Sequence, residues 1–290
     1  MMKVLITGGN GMIGRFLIST LKDKYDFVVF GRRAKPKEFE VEYCQGDLLD
    51  FDQIDKALEG VHKIIHLGAF ASISEEAPIQ QLDVNVKGTY NLLEAAARHD
   101  VKTVIFASTA CVYGFVADGF SPDYFPIDEK YLCQPKDTYG FSKLAGEELF
   151  KYYSRRYRIN TVILRLSVVI DVDRGIYFMH DEDTKSGIGW AYIDVRDVVE
   201  VMRLSLESKF DKAEIFNVVM DGAFSQTDTL TLLKKYYPTS DLSRMAELCK
   251  NDPMMATYSN AKAKRMLGFK PRYKFGDYCQ KKEKQMWEDK

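Results

Sequence analysis

The chain's 290 residues are 46% hydrophobic and 29% charged, enough apolar material for one large α/β domain with or without a small appendage. A formal net charge of −1, with no basic run before the lysine-rich C-terminal tail, excludes the electrostatic footprint of a nucleic-acid or anionic-membrane partner. No apolar stretch approaches the roughly 18 residues of a membrane span and no secretory leader core is expected. The five scattered cysteines, Cys44, Cys111, Cys133, Cys249 and Cys279, form no C-x-x-C and point to reduced thiols in a cytoplasmic protein.

In chain order, short apolar runs at 3–7, 27–30, 63–67, 103–107 and 161–166 read as buried strands. Helical stretches at 12–22, 51–58, 82–98 and 139–156 lie between them. Such alternation means parallel strands joined by crossovers, hence a doubly wound sheet. Beyond residue 168 the pattern loosens into a helix at 195–207, a strand at 215–219 and helices near 227–236 and 260–267. The expected division is a dinucleotide-binding domain over 1–168, rejoined by 191–219, with 169–190 and 220–290 forming a smaller substrate-binding lobe. The expected fold is therefore a Rossmann-type α/β sheet with a small C-terminal lobe.

The turn after the first strand reads Thr7-Gly8-Gly9-Asn10-Gly11-Met12-Ile13-Gly14. Gly8 permits a tight turn, Gly11 lets the backbone approach a pyrophosphate, and Gly14 allows close packing of the following helix. The helix N–H groups then face the phosphates. The second strand ends Phe30-Gly31-Arg32-Arg33, where an NAD site would usually offer an acidic side chain to the ribose. Two guanidiniums suit the 2′-phosphate of NADP instead, with NAD as the other candidate. The bland alternative is a pair of solvated surface arginines.

The strand at 103–107 runs into Ser108 and Thr109, and the helix from 139 places Tyr139 and Lys143 four apart, on one face. A phenol brought from about 10 to about 7 can take a hydroxyl proton as hydride leaves, a shift needing roughly 4 kcal/mol of differential stabilisation. Lys143 together with an oxidised nicotinamide is the expected source. The Thr109 hydroxyl, at the carboxyl end of its strand, is placed to bind the reacting oxygen. Ser108 is left between a site role and a structural hydroxyl. The same Y-x-x-x-K spacing recurs at Tyr258/Lys262 and Tyr278/Lys282, which read as solvated helix faces.

These motifs, with Gly46-Asp47-Leu48, His66-Leu67-Gly68-Ala69, Asn85-Val86-Lys87-Gly88-Thr89, Ser108–Gly114, Tyr139-Gly140-Phe141-Ser142-Lys143, Leu164-Arg165 and Tyr192–Val198, resemble the extended short-chain dehydrogenases, the NAD-dependent epimerase/dehydratase family. The similarity runs over almost the full length. It implies that Asp47 and Leu48 flank the adenine, that Leu67, Gly68 and Ala69 line the diphosphate and ribose, and that Asn85 sits behind the active site. It puts Thr109 at the family's catalytic Ser/Thr position, with Lys143 also holding the nicotinamide ribose. Where dehydratases carry an acid just after that position, this chain has Ala110 and Cys111, which speaks against dehydration.

The segment between 170 and 190 is short and acidic, with Asp171, Asp173, Asp181, Glu182 and Asp183 against Arg174 and Lys185. That suits a small sugar-like substrate better than a sugar diphosphate, although a solvated acidic loop is an equal reading. With the segment 122–135, it resembles the uronate dehydrogenases of the family. The expectation is an NAD(P)-dependent oxidoreductase or epimerase acting on a secondary alcohol or ketone of a sugar. A nucleotide-sugar 4-epimerase and a catalytically silent NADP sensor are the rivals. His62 and His66 lack further ligands for a zinc site, Cys111 lacks a basic partner in the sequence, and Tyr124, Phe125 and Tyr131 either line a sugar cleft or pack a loop. Helices 82–98 and 139–156 could form the interface of a homodimer, as in relatives.

Overall fold

The computed structural model describes residues 1–71, 77–114, 121–171 and 190–274. Seven strands, β1 (Lys3–Thr7), β2 (Asp26–Gly31), β3 (Glu42–Gln45), β4 (Lys63–His66), β5 (Thr103–Thr109), β6 (Asn160–Leu166) and β9 (Glu214–Val218), form one parallel sheet. Their order, β3-β2-β1-β4-β5-β6-β9, reverses direction between β1 and β4, which opens a crevice at their carboxyl ends. A second, two-stranded parallel sheet pairs β7 (Val168–Ile170) with β8 (Tyr192–Asp194).

Alternate residues of each strand feed opposite faces, and both faces are covered. On one, Val4, Ile6, Val29, Ile65 and Ile105 pack against α1 (Met12–Leu21) and α6 (Val195–Glu207). On the other, Leu5, Val28, Ile64, Val104 and Ile163 meet α2 (Phe51–Ala57), α4 (Gly88–Arg98) and α5 (Thr138–Tyr157). A third apolar cluster, rich in aromatics, joins Tyr113, Phe125, Ile127 and Tyr131 to Trp190, Tyr237 and Tyr258. It draws on α7 (Thr229–Tyr236) and α8 (Ser243–Cys249), while α9 (Ala261–Leu267) packs beside β9.

Several expectations need correction. The helix expected over 82–98 is α3 (Pro78–Leu82), a widened π turn (Asp83–Lys87) and α4, so the helical rod begins earlier and swells at Asn85. The edge strand β3 and helix α8 carry no strong apolar period and escape a reading based on it. Tyr258 is not on a solvated helix face but is 3% exposed within the third cluster, and Lys262 bonds Ile215 O and Glu214. Phe125 and Tyr131 are buried and Tyr124 packs edge-on against Tyr131 at 5.2 Å, so this patch packs a loop. The segment 172–189, with most of the acidic run, and the pair Tyr278/Lys282 lie outside the described residues, as does Cys279. The four described cysteines are free thiols.

Helix α5 is held on the sheet by a buried charge pair. Glu147, fully buried, accepts from Arg165 Nε at 2.9 Å and Nη2 at 2.7 Å, and from Ser108 Oγ at 2.6 Å. Removing one partner of such a pair strands the other charge. Glu147→Leu is expected to cost about 3–5 kcal/mol, read from a denaturant midpoint. Glu148→Leu, on the exposed side of the same helix, should stay within about 0.5 kcal/mol.

Candidate active site

The crevice at the switch point is a cavity of about 400 Å³. Gly8, Asn10 and Gly11, Arg32 and Arg33, Asp47 and Leu48, and Leu67, Gly68 and Ala69 are among the residues that line it. The glycine turn must be bare to make it. Gly8 has φ +71°, and a Cβ there would lie 2.8 Å from Gly68 N. At Gly14 a Cβ would come within 2.5 Å of Gly9 Cα, so the third glycine lets the helix approach its own preceding loop. Gly11 is the N-cap of α1 and supplies no side-chain cap, which leaves first-turn N–H groups, those of Met12 and Ile13 among them, aimed out of the helix. Asn10 Nδ2 donates to Tyr43 Oη at 3.0 Å, but its buried Oδ1 has no hydrogen-bond partner among the described residues. A bare cradle, an uncapped positive helix end and an orphaned polar atom fit a dinucleotide's phosphates.

Tyr139, Lys143 and Thr109 lie at the carboxyl end of β5 and the start of α5, and none of them is among the residues that line this cavity. Asp137 caps α5, its Oδ1 accepting from Gly140 N at 2.7 Å, so Tyr139 falls in the first turn. Thr109 ends β5 and accepts from Cys111 N at 3.2 Å, and its hydroxyl is near enough to the Tyr139 phenol to favour the phenol's charged form. Lys143 is 3% exposed, donates to Ala107 O at 2.8 Å, and sits 6.0 Å from the centre of the Tyr139 ring.

In the protein alone, burial pushes the Tyr139 phenol well above the usual phenol range, the neighbouring Cys111 and Asp137 add to this, and the Thr109 hydroxyl opposes it. Lys143 does not by itself bring the phenol down, because burial also lowers the lysine, to about 8, against a modest upward pull from Glu147.

Two other expected residues face elsewhere. Ser108 Oγ is committed to Glu147, on the α5 face of β5. Asn85 is buried in the π turn, its Oδ1 accepting from Phe70 N at 2.7 Å and its Nδ2 donating to Phe70 O and to Ser142 Oγ. The sequence marks His66 only as a motif residue and an incomplete zinc ligand, whereas its ring is wedged between Thr7 and Thr89. Glu147 is missed altogether, since nothing on its helix distinguishes it without knowledge of what it meets.

The chain belongs to the NAD dependent epimerase/dehydratase family, whose model matches residues 4–173, more than half of its length. A putative UDP-glucose 4-epimerase of Methanocaldococcus jannaschii is 34% identical over 175 residues, 57% of this chain but only 55% of that protein. The UDP-glucose 4-epimerase of Streptococcus mutans is 27% identical over 315 residues, 94% of this chain and 92% of that one. A uronate dehydrogenase of Pseudomonas syringae is 35% identical over 170 residues, covering 57% and 58%. In structure, an Agrobacterium tumefaciens short-chain dehydrogenase/reductase superfamily protein with bound NAD superposes with a TM-score of 0.74 over 99% of both chains at 23% identity. The protein is thus an enzyme-family member of the NAD-dependent epimerase/dehydratase type, on the fold that the short-chain dehydrogenase/reductase structure shares. Among the described residues no helix is long and apolar enough to cross a membrane.

A lysine whose ammonium form is disfavoured in the folded chain costs stability at neutral pH. That cost fades as pH climbs from about 8 toward the ordinary lysine value of 10.5. Lys143→Met should therefore stabilise the cofactor-free protein at pH 7 by about 1–2 kcal/mol, after allowing for the lost Ala107 bond. The advantage should shrink by about pH 10. Paired denaturation curves at the two pH values check it.

Proposed function

We propose that the chain transfers a hydride between NADP and a secondary alcohol or ketone carbon of a small sugar-like substrate. The observation that carries this reading is the convergence of Thr109 at the carboxyl end of β5 with Tyr139 in the first turn of α5, the Lys143 ammonium 6.0 Å from the centre of the Tyr139 ring. A nicotinamide bound in the cavity would accept or return the hydride. The protein's share is the proton: Tyr139 Oη takes it from the substrate hydroxyl as the C–O bond becomes C=O, and returns it on reduction. Thr109 orients the reacting oxygen, and Lys143 keeps positive charge near a phenol that burial would otherwise hold neutral.

Gly8, Asn10, Gly11, Met12, Ile13 and Gly14 are assigned to the diphosphate, and Asp47 and Leu48 to the adenine. Leu67, Gly68 and Ala69 are assigned to the middle of the dinucleotide. Asn85 and Ser108 act at one remove. NADP is favoured over NAD because Arg32 and Arg33 are exposed in the cavity's lining, where forked guanidiniums suit a phosphate. The sugar class is supported by the names of the relatives, a UDP-glucose 4-epimerase and a uronate dehydrogenase among them. The chain beyond 219 is assigned to the substrate side. Exposed Tyr90 on α4, with Phe141 and Tyr152 on α5, supports a homodimer through those helices.

A panel of free aldoses, uronates and UDP-sugars, followed by reduced-nicotinamide absorbance and by sugar analysis, tests the reading. Net reduction of NADP on a free sugar is the expected result. Interconversion of UDP-sugars without net reduction would replace it with the 4-epimerase reading, and cofactor binding with no turnover on any sugar would favour a sensor. Tyr139→Phe should lower turnover by about 10²–10⁴-fold while cofactor binding persists. Replacing both Arg32 and Arg33 by Ala should weaken NADP by about tenfold or more and leave NAD nearly unchanged.

A further inference from the structure

His66 ends β4 and is 1% exposed, its ring stacked on Phe106 at 5.6 Å and tilted against Phe150 at 6.2 Å. Each ring nitrogen meets a threonine hydroxyl: Nδ1 lies 2.6 Å from Thr7 Oγ1, and Nε2 lies 3.0 Å from Thr89 Oγ1. A hydroxyl has one hydrogen to give and a neutral imidazole has one N–H, so the directions can be solved. Thr89 Oγ1 donates to Asn85 O at 2.6 Å, so toward the ring it can only accept, and Nε2 carries the hydrogen. Nδ1 is left as the acceptor, so Thr7 Oγ1 donates to it. Thr7 Oγ1 in turn accepts from Gly68 N at 3.0 Å. The hydrogens run in one sense, from the Gly68 amide through Thr7, the ring and Thr89 to the Asn85 carbonyl.

A charged ring would break this order, since Nδ1–H would confront the Thr7 hydroxyl. The surroundings forbid the charge. Burial opposes it, Lys143 on α5 adds repulsion, and together they push the imidazole down to about 3. The groups facing the ring from β1, α4, β5 and α5 are Thr7, Thr89, Phe106, Phe150 and Lys143, and among these described residues no carboxylate offsets the lysine.

Both ends of the chain of bonds reach the site. Gly68 is the residue against which Gly8 packs in the cavity wall. Asn85 gives its side-chain amide to Ser142 Oγ at 2.9 Å, which donates to Tyr139 O at 2.8 Å. We propose that His66 is a positioning residue whose neutral, Nε2-protonated ring sets the spacing between the glycine wall of the cofactor cavity and the widened turn that seats Tyr139. It touches neither cofactor nor substrate in this role, and the inference stands apart from the identity of the sugar.

Two measurements test it. Long-range ¹⁵N correlation on histidine-labelled, cofactor-free protein, with His66→Gln for assignment, should show the Nε2–H tautomer unchanged between about pH 5 and pH 9. An Nδ1–H tautomer, or an imidazolium in that range, overturns the proposal even if the protein binds no nicotinamide cofactor, an outcome that would instead sink the functional reading. Second, NADP dissociation constants are compared for Thr7→Val, Thr89→Val and the double variant. Each single change should weaken binding by about tenfold, and the double by about the same, because one break already uncouples the chain. Thr7→Ser and Thr89→Ser should stay within about twofold, since they keep the hydroxyl. An additive loss of about a hundredfold, or no effect of Thr89→Val, would make the ring mere core filling and overturn the proposal. Should the valine variants not fold, the tautomer of the wild type decides.

Discussion

The Glu147 carboxylate, buried without solvent between α5, β5 and β6, is the contact on which the site's geometry depends. Its oxygens accept from the Arg165 guanidinium and from Ser108, so one residue of the helix is tied to two adjacent strands at once. Arg165 extends the tie by donating from Nη1 to Tyr113 Oη at 2.9 Å, and Tyr113 donates onward to Asn217 Oδ1 on β9 at 2.7 Å. Two charges removed from water are tolerated only when their bonds are complete, and this completeness leaves the helix a single seating. Lys143 and Tyr139 lie one and two turns earlier on the same face and inherit that placement.

Such a seating forces the lysine and the phenol into low-dielectric surroundings. Both respond by favouring their neutral forms: the ammonium loses affinity for its proton and the phenol clings to its own. Two groups in such surroundings respond strongly to any charge brought near them. The family is NAD-dependent, and the cavity at the switch point, with its uncapped helix end, fits a dinucleotide's phosphates.

The cavity and the helix are joined by neutral bonds rather than by charge. The relay through Thr7, His66 and Thr89 crosses from β1 to α4 at the point where the strand order reverses. There the widened turn at 83–87 bends its side chains toward both Phe70 and Ser142. A π turn interrupts regular helix bonding, and its recurrence at functional sites follows from the side chain and carbonyl it frees for other partners. Here the residue concerned is Asn85.

Local order was legible in the amino acids alone. Apolar periodicity located most strands and helices, and the glycines at 8, 11 and 14 marked a turn whose backbone must come bare to its neighbours. The placement of Tyr139 and Lys143 followed from the helical repeat, since residues four apart share a face whatever surrounds them. What the sequence could not decide was which side of a strand end a polar group serves, or what electrostatic company it keeps. Ser108 and Thr109 are adjacent hydroxyls, yet the strand's alternation sends one to Glu147 and the other to the Cys111 amide on the side where Tyr139 lies. Tyr258 and Tyr139 share a spacing motif, yet one lies in an apolar cluster and the other in the first turn of α5 at the end of β5. The direction of each titration was likewise settled by tertiary burial, because desolvation depends on everything packed around a group and not on its neighbours in the chain.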